Sequence, residues 1–230
     1  MQIIKSLTIL VLSIFLITGC SSIKFKNKDL NDKSQNFKYL ALGDSYTKGE
    51  SVCSTCGFPI IITKAIELKL QQPVSLKQIA QTGWTTTQLL DAISKEEIKQ
   101  DYNLVTLLIG VNNQFQGKPF SLFETEFLSL INSAIKYANG DASKVIILSI
   151  PDYGHTPYGS GKMKEISKEI DIYNNYIKTA AASKNIEYIN ITDITRKGLL
   201  NPELVASDGL HPSKEVYKLV AKKLLKQLKY

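Results

Sequence analysis

Three residues that together could break an ester lie in two segments that are far apart in the chain. Ser45 stands in GDSY at residues 43–46, and His211 follows Asp208 by three positions in DGLH at residues 208–211. A serine hydroxyl is a weak nucleophile at its free pKa, so it needs a neighbouring base, which in turn needs a partner that orients it. The Asp-x-x-His spacing lets a carboxylate reach the imidazole Nδ1–H and leaves Nε2 to accept the serine proton. These residues predict a catalytic site with nucleophile Ser45, base His211 and orienting acid Asp208.

Two other segments could supply the hydrogen-bond donors that ester chemistry requires. Gly83 lies in AQTGWT at residues 80–85, and Asn112 lies in GVNN at residues 110–113. Acyl transfer passes through a tetrahedral intermediate, whose negative oxygen needs donors that are already in place. We predict an oxyanion hole made of the Ser45 and Gly83 backbone N–H groups and the Asn112 side-chain amide. The structural alternatives are a helix N-cap for the serine, a turn position for the glycine and a loop cap for the asparagine.

The order and spacing of these segments resemble those of the SGNH/GDSL hydrolase superfamily, whose name lists the residues Ser, Gly, Asn and His. The similarity covers most of residues 38–225, and GESV at 49–52 and IPDYG at 150–154 look like a bacterial branch of GDSL-type acylhydrolases. The resemblance implies a flavodoxin-like three-layer α/β/α sandwich and hydrolysis through a covalent acyl-enzyme, with no metal or other cofactor. Asn113 stands where the family usually has an aspartate, and the match around Gly83 is loose.

Members of this superfamily cleave lysophospholipids, short acyl esters and O-acetyl groups on sugars, so the resemblance implies an ester substrate without fixing its class. Residues 114–120 and 152–160 are expected to form the pocket walls. Because the sequence contains no long, strongly apolar segment that could serve as a lid, we expect small acyl groups rather than long lipids. His155, the second of the two histidines, is interpreted as a loop histidine near the mouth of the site.

Apolar patterns along the chain predict alternating strands and helices that would position these residues. The predicted strands are residues 39–42, 74–80, 104–109, 145–150 and 186–191, and the predicted helices are residues 58–70, 85–93, 123–138, 166–181 and 216–228. This alternation predicts a mainly parallel sheet of about five strands in one α/β domain, residues 37–230. Ligands bind beyond the carboxyl ends of such strands. Ser45, Gly83 and Asn112 each follow a predicted strand, so they are expected at the same edge of the sheet.

The first 36 residues are interpreted as an export signal and a tether rather than as part of the fold. A basic start and an apolar core precede LITGC at residues 16–20, which resembles a bacterial lipobox. The resemblance implies removal of residues 1–19 as a signal peptide and lipidation of Cys20. The alternatives are an ordinary secretory signal and an uncleaved anchor helix. Residues 20–36 are mostly polar and predict a flexible tether.

The expected location is therefore the bacterial envelope, where a monomer would be held to the membrane by its lipid. Ser21 and Ser22 supply no aspartate retention signal, which favours the outer membrane if the cell has two membranes. The net charge is +7, but the lysines are scattered and no aromatic residues interleave with them, so nucleic acid is not an expected partner. The positive charge is better explained by attraction to anionic lipid or to an acidic envelope polymer.

The remaining two cysteines, Cys53 and Cys56, follow the nucleophile segment closely in CSTC. One such pair cannot supply four zinc ligands, and no His-x-x-His accompanies it. In an oxidising envelope the pair predicts a short disulfide. A thioredoxin-like redox role is the weaker alternative, because the strand-to-helix turn that such a motif uses is already occupied by Ser45.

Two hypotheses about function follow from these patterns. The first is an exported, lipid-anchored serine ester hydrolase for small acyl esters. The second is a non-catalytic envelope lipoprotein that uses the same fold to bind a glycan or a partner. The complete set of catalytic residue types favours the first.

Overall fold

The structure of the chain is a computed structural model that describes residues 36–228. The predicted signal peptide (residues 1–19), the predicted lipidation site Cys20 and all but the last residue of the predicted tether lie outside the described residues.

Five strands form one sheet in which every neighbouring pair is parallel, in the order β2-β1-β3-β4-β5. The strands are β1 (Phe37–Gly43), β2 (Val74–Ala80), β3 (Leu104–Leu108), β4 (Val145–Leu148) and β5 (Glu187–Ile189). The central strands β3 and β4 are buried along their whole length, as expected of a sheet that is covered on both faces. Gly43 pairs in register with Ala80 on one side and with Leu108 on the other. This register brings the carboxyl ends of three strands to one edge of the sheet.

Eight α-helices connect and cover these strands within the described residues. They are α1 (Ser45–Lys48), α2 (Phe58–Leu70), α3 (Thr86–Ser94), α4 (Val111–Phe115), α5 (Phe120–Tyr137), α6 (Met163–Ser183), α7 (Thr192–Thr195) and α8 (Lys214–Gln227). Helix α2 packs against α8, whereas α5 packs against both α3 and α6. These two helix groups and the sheet between them confirm the three-layer α/β/α sandwich with a parallel sheet of five strands. None of the helices described here is long and apolar enough to cross a membrane.

The apolar patterns locate the long elements well and their ends less well. Helix α2 and strand β2 have the predicted bounds. The predicted strand 145–150 is two residues too long, because the Ile150 N–H donates to the Asn174 side chain (2.8 Å) instead of continuing the ladder. Burial extends past the strand end, so an apolar run alone overestimates the strand. The one-turn helices α1, α4 and α7 were not predicted, since four or five residues are too few to show a helical period.

Candidate active site

Close packing fixes the turn that carries Ser45. The turn begins at Gly43, where an added Cβ would lie 2.2 Å from Thr47 Oγ1 and 2.4 Å from the Leu108 carbonyl oxygen. Only glycine fits there without displacing backbone. Asp44 then caps α1, since its Oδ1 accepts the Tyr46 N–H at 3.0 Å. Ser45 is the first residue of α1 and is almost fully buried.

Asp44 is a buried carboxyl group next to Ser45, the predicted nucleophile. It is fully buried, and its Oδ2 has no hydrogen-bond partner among the described residues. Burial disfavours the charged form and raises the pKa of Asp44 to about 7, against the opposing effect of the Tyr46 N–H bond. At neutral pH the charged and the neutral form of this carboxyl are therefore both populated, unlike in an ordinary aspartate.

The second part of the site is the histidine loop, residues 205–212, which is held by hydrogen bonds. Val205 and Pro212 form an antiparallel bridge, and the Ala206 N–H donates to the His211 carbonyl at 2.8 Å. Within this loop, Asp208 Oδ1 accepts the backbone N–H groups of Leu210 and His211, both at 2.9 Å. The loop thus fixes its own carboxylate through main-chain donors.

The fold brings the three predicted catalytic side chains together. His211 Nε2 lies 3.1 Å from Ser45 Oγ, across 166 residues of sequence, and His211 Nδ1 lies 2.6 Å from Asp208 Oδ2. Partial burial would raise the pKa of Asp208, but hydrogen bonds, the one from Ser51 first, outweigh it and hold the pKa well below its ordinary value. An ionised carboxylate can only accept, so Nδ1 carries the imidazole proton and Nε2 faces the serine as an acceptor.

The segments of Gly83 and Asn112 are tied to each other. One N–H of the Asn112 amide donates to the Trp84 carbonyl at 3.0 Å, and the Gln116 side chain donates to the Gly83 carbonyl at 2.9 Å. Gly83 has a φ of 84°, whereas an added Cβ would meet nothing within 4 Å. Its backbone conformation, rather than protein packing, is therefore what favours glycine here. Asn112 of α4 and Gln116 directly after it thus bind the carbonyl groups of Trp84 and Gly83.

Asn113, which replaces the aspartate of the usual family pattern, has a structural role. The side chain is fully buried, its Oδ1 accepts the Thr86 N–H at 3.0 Å, and its Nδ2 donates to Thr86 Oγ1 at 2.7 Å. These bonds satisfy a donor at the start of α3 that the helix itself leaves free. An amide serves this purpose with one acceptor and one donor, so the replacement keeps α3 attached to α4.

His155 lies apart from the Ser45–His211 contact. Its Nε2 is 3.9 Å from Oδ2 of Asp152, a fully buried carboxylate that also binds Arg196 Nε at 2.9 Å and the Ser167 hydroxyl at 2.7 Å. This network anchors the loop that follows β4. The loop also reaches the histidine loop, since the Tyr158 N–H donates to the Gly209 carbonyl at 3.0 Å.

Cys53 and Cys56 are bonded to each other in the structure, with their Cα atoms 5.1 Å apart. They lie in the disulfide loop, residues 49–57, which joins α1 to α2. The same loop carries Ser51, whose hydroxyl donates to Asp208 Oδ2 at 2.5 Å. Sequence reasoning missed this contact, because nothing in the pattern of Ser51 signals a partner 157 residues away. In the described part of the chain, no three His, Cys, Asp or Glu side chains are placed to hold a metal ion together.

Comparison with known proteins decides the family. A family model for GDSL-like lipases and acylhydrolases matches residues 41–219, which is most of the chain. The chain belongs to the GDSL-like lipase/acylhydrolase family. The resemblance to the SGNH/GDSL superfamily that the four sequence segments suggested is thereby confirmed. A search of curated proteins gave no match.

Solved structures share the fold of this family member at low identity. A lipolytic protein of the G-D-S-L family from Veillonella parvula has a TM-score of 0.64 and 20% identity, covering 83% of this chain and 97% of its own. An acetylxylan esterase from Geobacillus stearothermophilus has a TM-score of 0.66 and 18% identity, covering 84% and 94%. A lipase/acylhydrolase from Enterococcus faecalis has a TM-score of 0.63 and 19% identity, covering 83% and 94%. Similarity at this level supports the fold and leaves the substrate of this chain open.

Proposed function

We propose that this member of the GDSL-like family is a serine ester hydrolase that acts on small acyl esters. The observation that carries the proposal is the continuous contact from Ser45 Oγ through His211 to Asp208, with separations of 3.1 Å and 2.6 Å. These are the distances at which an imidazole can take a hydroxyl proton while a carboxylate holds it in the required tautomer.

In the first half of the reaction, Ser45 Oγ attacks the acyl carbon while its proton passes to His211 Nε2. Asp208 remains ionised and stabilises the imidazolium that forms, since hydrogen bonds hold its pKa well below the ordinary value. The imidazolium then returns the proton to the departing alkoxide oxygen, so the alcohol leaves and the acyl group stays on Ser45. In the second half, water attacks the acyl carbon while its proton passes to His211 Nε2. The bond between the acyl carbon and Ser45 Oγ then breaks, the imidazolium returns the proton to Oγ, and the acid leaves.

The negative oxygen of each tetrahedral intermediate would rest on the Ser45 and Gly83 N–H groups and on the Asn112 amide. Two contacts support this assignment, namely the bond from Asn112 to the Trp84 carbonyl and the bond from Gln116 to the Gly83 carbonyl. They fix these segments before substrate arrives, and donors that need no rearrangement stabilise developing charge best. Removing one such donor costs about 10²–10³-fold in kcat in comparable sites.

A groove at the predicted pocket-wall loops supports a small, partly polar substrate, and its lining residue Tyr158 donates its N–H to the Gly209 carbonyl of the histidine loop. Its volume is about 610 Å³, and it is formed largely by residues from the two loops that the sequence marked as pocket walls. The groove mixes aromatic side chains with charged ones: Phe115, Tyr153, Tyr158, Lys162, Glu165 and Glu169. Charged groups along a wall make a poor environment for a long alkyl chain. We therefore expect acetyl and butyryl esters to be hydrolysed faster than long-chain esters, and the reverse order would contradict this part of the proposal.

The test of the reaction uses three variants and a chromogenic acetyl ester. Ser45→Ala and His211→Ala are each expected to abolish measurable hydrolysis and to keep the wild-type circular dichroism spectrum. His155→Ala is the matched control, because it removes the other histidine from a loop near the site, and it should retain most of the activity. Full hydrolysis by either catalytic variant would refute the proposal.

A fluorophosphonate probe separates an enzyme from a binding module with the same fold. Such a probe reacts with an activated serine, so it should label the wild type at Ser45 and leave Ser45→Ala unlabelled. A folded wild-type protein that resists labelling and hydrolyses no ester would favour the non-catalytic alternative.

We further propose that the enzyme is anchored in the bacterial envelope through a lipid on Cys20. The support is the lipobox-like LITGC at residues 16–20 and the polar segment that follows it. Expression in a bacterial host with labelled palmitate should label the wild type and leave Cys20→Ala unlabelled. Equal labelling of both proteins, or a mature protein whose first residue is not Cys20, would contradict the anchor.

A further inference from the structure

The disulfide loop, residues 49–57, makes a second contact with the proposed catalytic carboxylate from outside the histidine loop. Ser51 Oγ donates to Asp208 Oδ2 at 2.5 Å, and His211 Nδ1 shares that same oxygen at 2.6 Å. Oδ1 accepts two backbone N–H groups of the histidine loop itself. All four hydrogen bonds to this carboxylate therefore come from fixed donors, and Ser51 is the one that lies outside the histidine loop.

The loop that carries Ser51 is held on both sides. At its start, the Gly49 and Glu50 N–H groups both donate to the Ser45 carbonyl at 3.0 Å. The first residues of the loop are therefore bonded to the backbone of Ser45. Gly49 and Gly57 then close the loop, since a Cβ added to Gly49 would lie 3.3 Å from Gly57 Cα. The disulfide between Cys53 and Cys56 restrains the segment after Ser51. These contacts restrain the backbone on both sides of Ser51.

The backbone of Ser51 has an uncommon conformation. Its φ is 62°, a left-handed conformation that is uncommon for a residue other than glycine. Such a conformation is maintained only where surrounding structure determines it. The hydrogen bonds at the start of the loop and the Asp208 contact supply that determination.

We propose that Ser51 is a positioning residue of this site, which orients the Asp208 carboxylate so that Oδ2 faces His211 Nδ1. The proposal rests on the proposed ester hydrolysis for its kinetic consequence. Loss of the hydroxyl frees the carboxylate to rotate away from the imidazole and concentrates its negative charge, because one fewer donor shares that charge. Both effects act on His211: the base is less well oriented, and its protonated form is better stabilised whenever the contact is made.

The decisive experiment compares four variants with the wild type in kcat, KM and the pH profile of kcat/KM. Ser51→Ala and Ser51→Gly both remove the hydroxyl, but glycine accepts the left-handed backbone without strain, so agreement between them assigns the effect to the hydroxyl. Ser51→Asn keeps a donor in a residue that tolerates this backbone. Ser54→Ala is the matched control, since Ser54 is an exposed serine of the same loop.

We expect kcat to fall about tenfold in Ser51→Ala and Ser51→Gly, with KM changed less than twofold and the acid limb of the profile moved to higher pH. Ser51→Asn should recover part of kcat, and Ser54→Ala should match the wild type. Wild-type kcat and an unmoved acid limb in Ser51→Gly would overturn the proposal. If Ser51→Ala does not fold, the glycine variant still decides the matter.

A nuclear magnetic resonance titration of ¹⁵N-labelled histidine keeps this inference separate from the proposed activity. The chain has two histidines, so a His155→Asn background assigns the His211 signal. An upward shift of the His211 titration in Ser51→Gly would support the positioning role even if no ester is hydrolysed, in which case only the proposed reaction fails. An unchanged titration in a hydrolytically active protein would remove the positioning role and leave the proposed reaction intact.

Discussion

The nucleophile turn, residues 43–48, and the histidine loop, residues 205–212, meet at the same site but are fixed by different forces. The turn is packed, since it includes a glycine without room for a Cβ and a fully buried carboxyl. The loop is more open, with the Asp208 side chain one-third exposed, and its geometry is set by hydrogen bonds. Substitutions in the turn should therefore mainly lower stability, whereas substitutions in the loop should mainly lower activity.

The carboxyl groups of the two regions, Asp44 and Asp208, also differ, because their pKa values are shifted in opposite directions. Burial raises the pKa of Asp44 to about 7, while partial burial of Asp208 is outweighed by hydrogen bonds that keep its pKa well below the ordinary value. Full burial with few donors raises the pKa of Asp44, whereas partial burial with four donors lowers that of Asp208. One site thus holds a carboxyl that is partly neutral at pH 7 and caps a turn, and an ionised one that contacts His211.

In the comparison of the two regions, the largest effect is expected from Asp208→Asn. The asparagine oxygen can still accept the backbone N–H groups of the loop, so the NH₂ group faces His211 Nδ1. Because NH₂ donates, it favours the tautomer in which Nδ1 is the acceptor and Nε2 carries the proton. In that tautomer Nε2 cannot accept the proton of Ser45. We expect kcat to fall about 10³-fold or more with the fold intact, measured by ester hydrolysis and by thermal unfolding. Asp91→Asn, an exposed aspartate on α3, is the control. A loss of less than tenfold would show that the loop does not control the base.

Gly43→Ala tests the packed side of the comparison. The new methyl would overlap the Leu108 carbonyl oxygen and the Thr47 side chain, so the turn must shift or the strand must separate. We expect a loss of about 3 kcal/mol in the free energy of unfolding, measured by urea denaturation. Gly161→Ala should change stability little, because nothing lies within 4 Å of its added Cβ. Equal stability of the two variants would mean that packing does not fix the turn.

Asp44→Asn tests the electrostatic contrast through the pH dependence of stability. The folded pKa of Asp44 is raised, so the unfolded chain loses its proton first, and the wild type loses stability as pH rises from about 4 to about 7. The asparagine variant lacks this loss. Relative to the wild type, the free energy of unfolding of the variant should rise by a few kcal/mol between pH 4 and pH 7. Urea denaturation midpoints across this range measure the rise. A difference that stays constant with pH would show that Asp44 is charged at pH 7.

Asp208→Asn should show the opposite dependence when its stability is measured across the acid range. The folded pKa of Asp208 is lowered, so its charge stabilises the fold above the ordinary carboxyl pKa, and that contribution disappears as pH falls below it. The asparagine variant should therefore be less stable than the wild type at neutral pH and approach it in acid.

The smallest effect is expected from Cys53→Ser/Cys56→Ser. A disulfide between residues three apart closes a very short loop and restricts the unfolded chain little, so stability should fall by about 1 kcal/mol or less. The Gly49–Gly57 contact and the bonds to the Ser45 carbonyl still hold the loop, so activity should change no more than about threefold. Thermal unfolding measures the change in stability, and kcat measures the change in activity. Thiol titration of the exported wild type shows whether the bridge is present. Free thiols in that protein would show that the bridge does not form in the envelope.

Much of this molecule follows from local sequence. The strand-forming runs and helical periods predicted a parallel sheet, and the order of strand ends predicted which residues would share its edge. The Asp-x-x-His spacing predicted the contact between Asp208 and His211, because both residues lie within one loop and need no distant partner to meet. The segment around Ser45 was recognisable for the same reason, since a glycine and a cap belong to the turn itself.

The tertiary structure decided everything that depends on neighbours from distant parts of the chain. Ser51 reaches Asp208 only because the end of β1 and the histidine loop meet at one edge of the sheet. Asn113 holds α3 only because the β2–α3–β3 crossover places it beside Thr86. The protonation of Asp44 also required the fold, since burial and the absence of a donor to Oδ2 among the described residues are properties of the packed state. Sequence specifies local geometry and chemical type, whereas charge state and alignment arise from contacts that form only when the chain is folded.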